Sequence, residues 1–163
     1  MFFKKSINIH DDGQTIYAPI NGQIIPLEEV NDEVFRQKMM GDGVAIEPHD
    51  GKIYAPATGV ITVVFPTRHV IAMTSVDGMN IIVHVGIDTV ELNGNGFHPL
   101  VKVGDYVKAG EQIMTFQLHK IKQNYQATTM IVIENSAEYQ LLKSSADYVQ
   151  VGEELMKVKK VKI

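Results

Sequence analysis

Ile16-Tyr17-Ala18-Pro19-Ile20-Asn21-Gly22-Gln23-Ile24 recurs as Ile53-Tyr54-Ala55-Pro56-Ala57-Thr58-Gly59-Val60-Ile61. In each copy Pro restricts φ and the Gly three residues on is expected at positive φ, so Ala-Pro-x-x-Gly reads as a tight turn that feeds a strand. A second echo has the same character: Val107-Lys108-Ala109-Gly110-Glu111 returns as Val149-Gln150-Val151-Gly152-Glu153. Around these repeats, Gly and Pro punctuate short β-rich runs at 22–25, 44–46, 59–65, 69–74, 80–85, 112–118 and 129–133. No long window carries apolar residues at helical spacing; the best helical candidates are brief, at Asp32 to Lys38 and Ser136 to Lys143. The pattern predicts an all-β chain, an antiparallel β-sandwich or flattened barrel with pseudo-repeats and only short helical turns. Two copies of each repeat are too few for a solenoid.

The composition fits one ordinary domain. The chain has 163 residues, 45% of them hydrophobic, with 15 Lys+Arg against 19 Asp+Glu. No linker-like or low-complexity tract divides it, so residues 15–163 read as a single domain and residues 1–14 as a loose N-terminal leader. The absence of cysteine excludes disulfides, thiolate metal sites and thiol nucleophiles. A net charge of −4 argues against nucleic acid, which is bound through clustered Lys and Arg, and favours basic partners. The longest run free of charged residues, Gly13 to Leu27, is broken by Pro19, Gly22 and Pro26 and cannot span a bilayer. Met1-Phe2-Phe3-Lys4-Lys5 has no apolar segment behind its charges, so the expected compartment is the cytoplasm.

Chemistry concentrates at two histidines in apolar strands, His69 and His84. An Asp77-Gly78 turn between their strands signals a hairpin. Centred there, the hairpin would set His69 opposite about residue 86, a slip of two from His84 that two imidazoles can still bridge. An imidazole near its reference pKa is a nucleophile at neutral pH, and a second one beside it can donate to an incoming anion. The same pair could hold adventitious zinc, although two ligands make an incomplete site. His10, His49, His98 and His119 sit among charged, Gly or Pro neighbours and read as solvated loop residues. Lys38-Met39 resembles the dipeptide to which biotin or lipoate is attached in carrier domains, but the adjoining helix candidate weighs against that role.

At these residues the chain resembles enzyme IIA of the glucose class of the bacterial phosphoenolpyruvate-dependent sugar phosphotransferase system. The resemblance runs from Ala18-Pro19-x-x-Gly22 through Lys38-Met39-Met40-Gly41-Asp42-Gly43 and Phe65-Pro66-Thr67-x-His69. Its most specific block is His84-Val85-Gly86-Ile87-Asp88-Thr89-Val90-x-Leu92. Asn31 and Met130 stand where relatives commonly have Pro, and Arg68 adds a cation between Thr67 and His69. The resemblance implies an antiparallel β-sandwich in which His84 accepts a phosphoryl group from the carrier HPr and passes it to a sugar-specific IIB domain. It implies that His69 donates to the phosphoryl oxygens, that Thr67 orients His69, and that no metal or cofactor is required. Gly86 would let the backbone approach closely.

The same resemblance implies a docking face around the histidines. Its apolar positions are Val34, Phe35, Met39, Met40, Phe65, Ile82 and Val90, and its acids are Asp32 and Asp88. Some of the apolar residues are equally readable as core. Contact with the membrane is expected only through the permease. The rival reading is a regulatory protein-binding module whose histidine pair binds zinc or reports phosphorylation state.

Overall fold

The computed structural model describes residues 5–161. Fourteen strands follow one another: β1 Thr15–Tyr17, β2 Gly22–Pro26, β3 Asp42–Pro48, β4 Lys52–Tyr54, β5 Gly59–Val64, β6 Val70–Ser75 and β7 Asn80–Val85 make the first half. β8 Phe97–Pro99, β9 Tyr106–Val107, β10 Gln112–Phe116, β11 Thr129–Ile133, β12 Tyr139–Lys143, β13 Tyr148–Val149 and β14 Glu154–Lys160 make the second. Among the described residues helix is confined to α1 Glu33–Arg36, α2 Leu118–Lys122 and three 3-10 turns. Every pairing is antiparallel. The main sheet runs β13-β2-β3-β11-β7-β6-β5-β9, beside two three-stranded sheets, β1-β14-β12 and β4-β10-β8.

The sequence repeats interlock in space. Ala18 N–H donates to Glu153 O at 2.8 Å and Gly152 N–H to Ala18 O at 3.1 Å. In the other copy Ala55 N–H donates to Glu111 O at 2.7 Å and Gly110 N–H to Ala55 O at 2.9 Å. The two Ala-Pro turns also hold each other, Tyr17 N–H to Pro56 O and Tyr54 N–H to Pro19 O. Each Ala-Pro segment is thus clamped by one copy of the other echo, the first by the later copy around Gly152 and the second by the earlier copy around Gly110.

The glycines of these turns act differently from expectation. Gly110 and Gly152 take positive φ, of 91° and 89°. Gly22 and Gly59 do not; there a Cβ would collide with the backbone carbonyls of Glu47 and Thr74 on the neighbouring strands. Close strand approach, not turn conformation, demands glycine at those two positions.

Residues 5–14, part of the leader expected from the sequence, make contacts with the rest of the chain. Ser6 bridges Glu111, Ile7 N–H donates to Gly110 O, Tyr17 Oη donates to His10 O, and the Asp11 carboxylate accepts from Thr58 N–H. Residues 1–4, the rest of that expected leader, lie outside the described residues. The predicted helix at Ser136–Lys143 is instead a 3-10 turn, Ser136–Glu138, running into β12, which pairs with β14 and whose residues alternate between part-buried and exposed because Tyr139 and Leu141 pack against the core on one face. The 112–118 run ends as a strand at Phe116 and turns into α2.

Strand alternation splits the core. Ile81, Val83, Val85, Ile131 and Ile133 point into the large central cluster. The other face of the main sheet carries a smaller one, of Leu27, Val30, Phe35, Ala45, Ile87, Met130 and Val132. α1 closes over this second cluster: the Asp32 carboxylate caps it by accepting from Val34 N–H at 2.9 Å, and Phe35 is its buried anchor. His84 emerges on that face, opposite Met130 on β11 and Val70 on β6.

Candidate functional site

The hairpin that presents the histidines is centred on Asp77, with Thr74 opposite Asn80, so His84 faces Val70, one residue from the position that a turn centred on Asp77-Gly78 would give it. His69 precedes β6 and accepts from Val85 N–H through its carbonyl at 2.8 Å. In a continued strand its side chain would fall on the opposite face from His84. Arg68 prevents that continuation. It closes a Phe65–Arg68 turn at φ +63°, and His69 meets His84 with ring centroids 4.9 Å apart and planes at 87°. The arginine stem packs beside Gly94, where a Cβ would press on its Cδ.

His69 is buried, with 2% of its surface exposed. The Thr67 hydroxyl lies 3.0 Å from its Nδ1. With that hydroxyl donating, the ring proton resides on Nε2, the end then available as a donor. Phe65 stands edge-on to this ring at 5.8 Å, and Phe35 edge-on to His84 at 4.9 Å. His84 is half-buried, and its Nδ1 is enclosed without a hydrogen-bond partner among the described residues. Burial, reinforced by the neighbouring His69, lowers the His84 pKa to about 4, against weaker opposing effects of the Gly86 backbone and the Asp32 carboxylate. Burial lowers the His69 pKa as well. Both rings are therefore neutral at pH 7, and a neutral imidazole is the nucleophilic form.

The loop after His84 is fixed by Gly86 and Thr89. Gly86 has φ +85°, and a Cβ there would strike the Thr89 methyl group. The fully buried Thr89 hydroxyl donates to Val85 O at 2.5 Å, while Gly86 and Ile87 N–H groups donate to Thr128 O and Gln126 O. Thr89 thus sets the backbone immediately beyond the half-buried histidine. The sequence reading assigned it no role, and beside Asp88 and Glu91 nothing in the sequence sets this hydroxyl apart.

This pairing of neutral histidines on a twofold-repeated β-sandwich can be set against known proteins. Residues 14–139 match the family described as the phosphoenolpyruvate-dependent sugar phosphotransferase system, EIIA 1. The chain belongs to that family. It is 45% identical over 144 residues to the glucose-specific EIICBA component of Staphylococcus saprophyticus, covering 88% of this chain and 21% of that one. The glucosamine-specific EIICBA component of Bacillus subtilis is 47% identical over 132 residues, 80% of this chain and 21% of that one. The chain therefore spans about a fifth of the length of these EIICBA relatives. Against the glucose-specific EIIA component of Oceanobacillus iheyensis the identity is 44% over 131 residues, 80% of this chain and 79% of that one. The solved glucose permease IIA from Mycoplasma capricolum superposes with a TM-score of 0.82 at 34% identity, covering 96% of this chain and 97% of that one.

Around the histidines of this EIIA chain, the residues expected on a docking face divide into two groups. Val34, Met39, Met40, Phe65 and Val90 are exposed apolar side chains, as such a face requires. Phe35 is 4% exposed and belongs to the second core cluster, and Ile82 packs partly buried against it. Asp32 is the α1 cap, and Asp88 is exposed in the left-handed conformation at φ +60°. Lys38 is held by Glu28 at 3.2 Å and Asp42 at 3.7 Å, so its ammonium belongs to an ion-pair network. His10, His49, His98 and His119 are all exposed, though His98 lies in β8 and His119 in α2 rather than in loops. Among the described residues no group of three or more His, Cys, Asp or Glu side chains could hold a metal ion.

Proposed function

We propose that His84 accepts a phosphoryl group through Nε2 from the phosphorylated carrier HPr and hands it to a IIB domain of a sugar permease. The neutral Nε2 lone pair attacks phosphorus as the bond to the donor imidazole breaks, and the reverse exchange with a IIB nucleophile releases His84 again. Such transfers pass through a loose transition state with charge on the equatorial oxygens, so catalysis rests on positioning and donation. His69 is the donor and Thr67 holds its tautomer. The observation that carries this reading is the enclosed, unpartnered His84 Nδ1 in a ring 4.9 Å from His69, which leaves Nε2 as the reactive nitrogen.

Val34, Met39, Met40, Phe65 and Val90 form the apolar contact surface, with Ile82 and Phe35 supporting it from below, and Asp32 and Asp88 steer a basic carrier. The chain acts as one domain in the cytoplasm and reaches the membrane only through the permease. No helix among the described residues is long and apolar enough to cross it. Incubation with phosphoenolpyruvate, enzyme I and HPr tests the proposal: an acid-labile, base-stable phosphoryl adduct on His84 supports it, and an unmodified protein refutes it.

A further inference from the structure

Of the eight methionines, Met1 lies outside the described residues, and Met73, Met79, Met114, Met130 and Met156 are buried. Met39 and Met40 are 68% and 39% exposed. The chain has no cysteine, so no thiol competes with these thioethers for an oxidant. Their loop is held by contacts that do not involve sulfur. Lys38 N–H donates to Phe35 O, Met39 N–H to Val34 O and Gly41 N–H to Lys38 O, while Lys38 at φ +60° is tied to Glu28 and Asp42, and Asp42 to Lys143 at 2.7 Å. The loop adjoins α1, whose Phe35 touches His84.

We propose that Met39 and Met40 are an oxidation site for hydroperoxides, and that their sulfoxides weaken docking of the phosphoryl partners. The inference rests on reading this face as the docking surface. A sulfur lone pair attacks the terminal peroxide oxygen, the O–O bond breaks as S–O forms, sulfur loses two electrons, and the proton on the transferred oxygen passes to the departing hydroxide or alkoxide, which leaves as water or an alcohol. A flexible apolar contact becomes a strongly polar one that must be desolvated when a partner covers it. Because the backbone hydrogen bonds and ion pairs of the loop are untouched, the fold keeps its stability. The change is confined to recognition.

The test treats the full chain with hydrogen peroxide, maps the added oxygen by peptide mass, and measures the KM for phosphorylated HPr and the melting temperature before and after. Oxygen on Met39 and Met40, a KM raised roughly ten-fold, an unchanged melt and recovery on treatment with methionine sulfoxide reductases of both epimer specificities support the proposal. The Met39→Leu/Met40→Leu protein, compared with itself before and after peroxide, should show no shift in KM. Oxidation of buried methionines first, or a fall in melting temperature, overturns it. So does an unchanged KM with both residues oxidised; if Met39→Lys nonetheless raises KM, the docking surface stands and only the oxidation site is lost. An unchanged KM in Met39→Lys refutes the docking surface itself.

Discussion

His84 makes folding stability depend on acid, and the size of the effect follows from its surroundings. Its pKa is about 4 in the folded protein against 6.5 in an exposed chain. Between these values the unfolded chain binds a proton that the folded chain does not, so stability is full above pH 6.5 and falls as pH is lowered toward 4. From pH 7.5 to pH 5 the imidazole costs about 2 kcal/mol of unfolding free energy, from RT ln of the ratio of the two binding polynomials. His84→Gln, neutral throughout, removes this dependence, while contributions common to both proteins cancel in the difference. Urea unfolding of both proteins at pH 7.5, 6.5, 5.5 and 5 should show the wild type losing about 2 kcal/mol more than the variant. His69, whose pKa is lowered in the same direction, leaves its own share of acid lability in both. Parallel pH profiles for the two proteins would refute a buried, proton-poor His84.

Three further outcomes are expected. Met39→Lys should raise the KM for phosphorylated HPr while changing unfolding free energy by no more than about 0.5 kcal/mol, whereas Phe35→Ala should cost about 3–5 kcal/mol; denaturant melts beside transfer rates check both. Asp32→Asn with Asp88→Asn should slow association and flatten its salt dependence without unfolding, since Asn still caps α1 and tolerates the left-handed conformation at position 88; stopped-flow rates across a salt series measure this. Gly86→Ala forces a Cβ onto Thr89 at φ +85° and should both lower the melting temperature and reduce phosphoryl acceptance; a protein that melts and transfers normally would show that this loop is not rigid.

Much of this architecture was legible because it is local or periodic. The strands Asn80–Val85 and Thr129–Ile133 were bounded correctly by their β-branched runs, and the helical candidate at Asp32 to Lys38 encloses α1. What failed depended on contacts distant in sequence. The apolar spacing of Tyr139, Leu141 and Leu142 is ambiguous between helix and strand until β14 supplies an edge to pair with. Gly22 and Gly59 are explained only by the carbonyls of β3 and β6 that crowd them. The histidine pair could be suspected from the motif, but turn centring alone set His69 opposite about residue 86, one beyond the Val85 whose N–H it accepts. Its meeting with His84 depends on the left-handed Arg68, a conformation that composition does not announce. Thr89 was passed over because a buried hydroxyl that fixes a backbone carbonyl looks, in sequence, like any other threonine.

The division of labour between the two histidines is tested most directly by mapping the phosphoryl group. After incubation with phosphoenolpyruvate, enzyme I and HPr, phosphorus-31 resonance and tandem mass measurement should place it on His84 Nε2. His84→Ala should take up none. His69→Gln retains a donor and should still be loaded, yet pass the group to IIB more slowly, because a glutamine cannot take up a proton as charge shifts on the departing group. A label on His69, or a loaded His84→Ala beside an unloaded His69→Gln, would invert the assignment of nucleophile and donor.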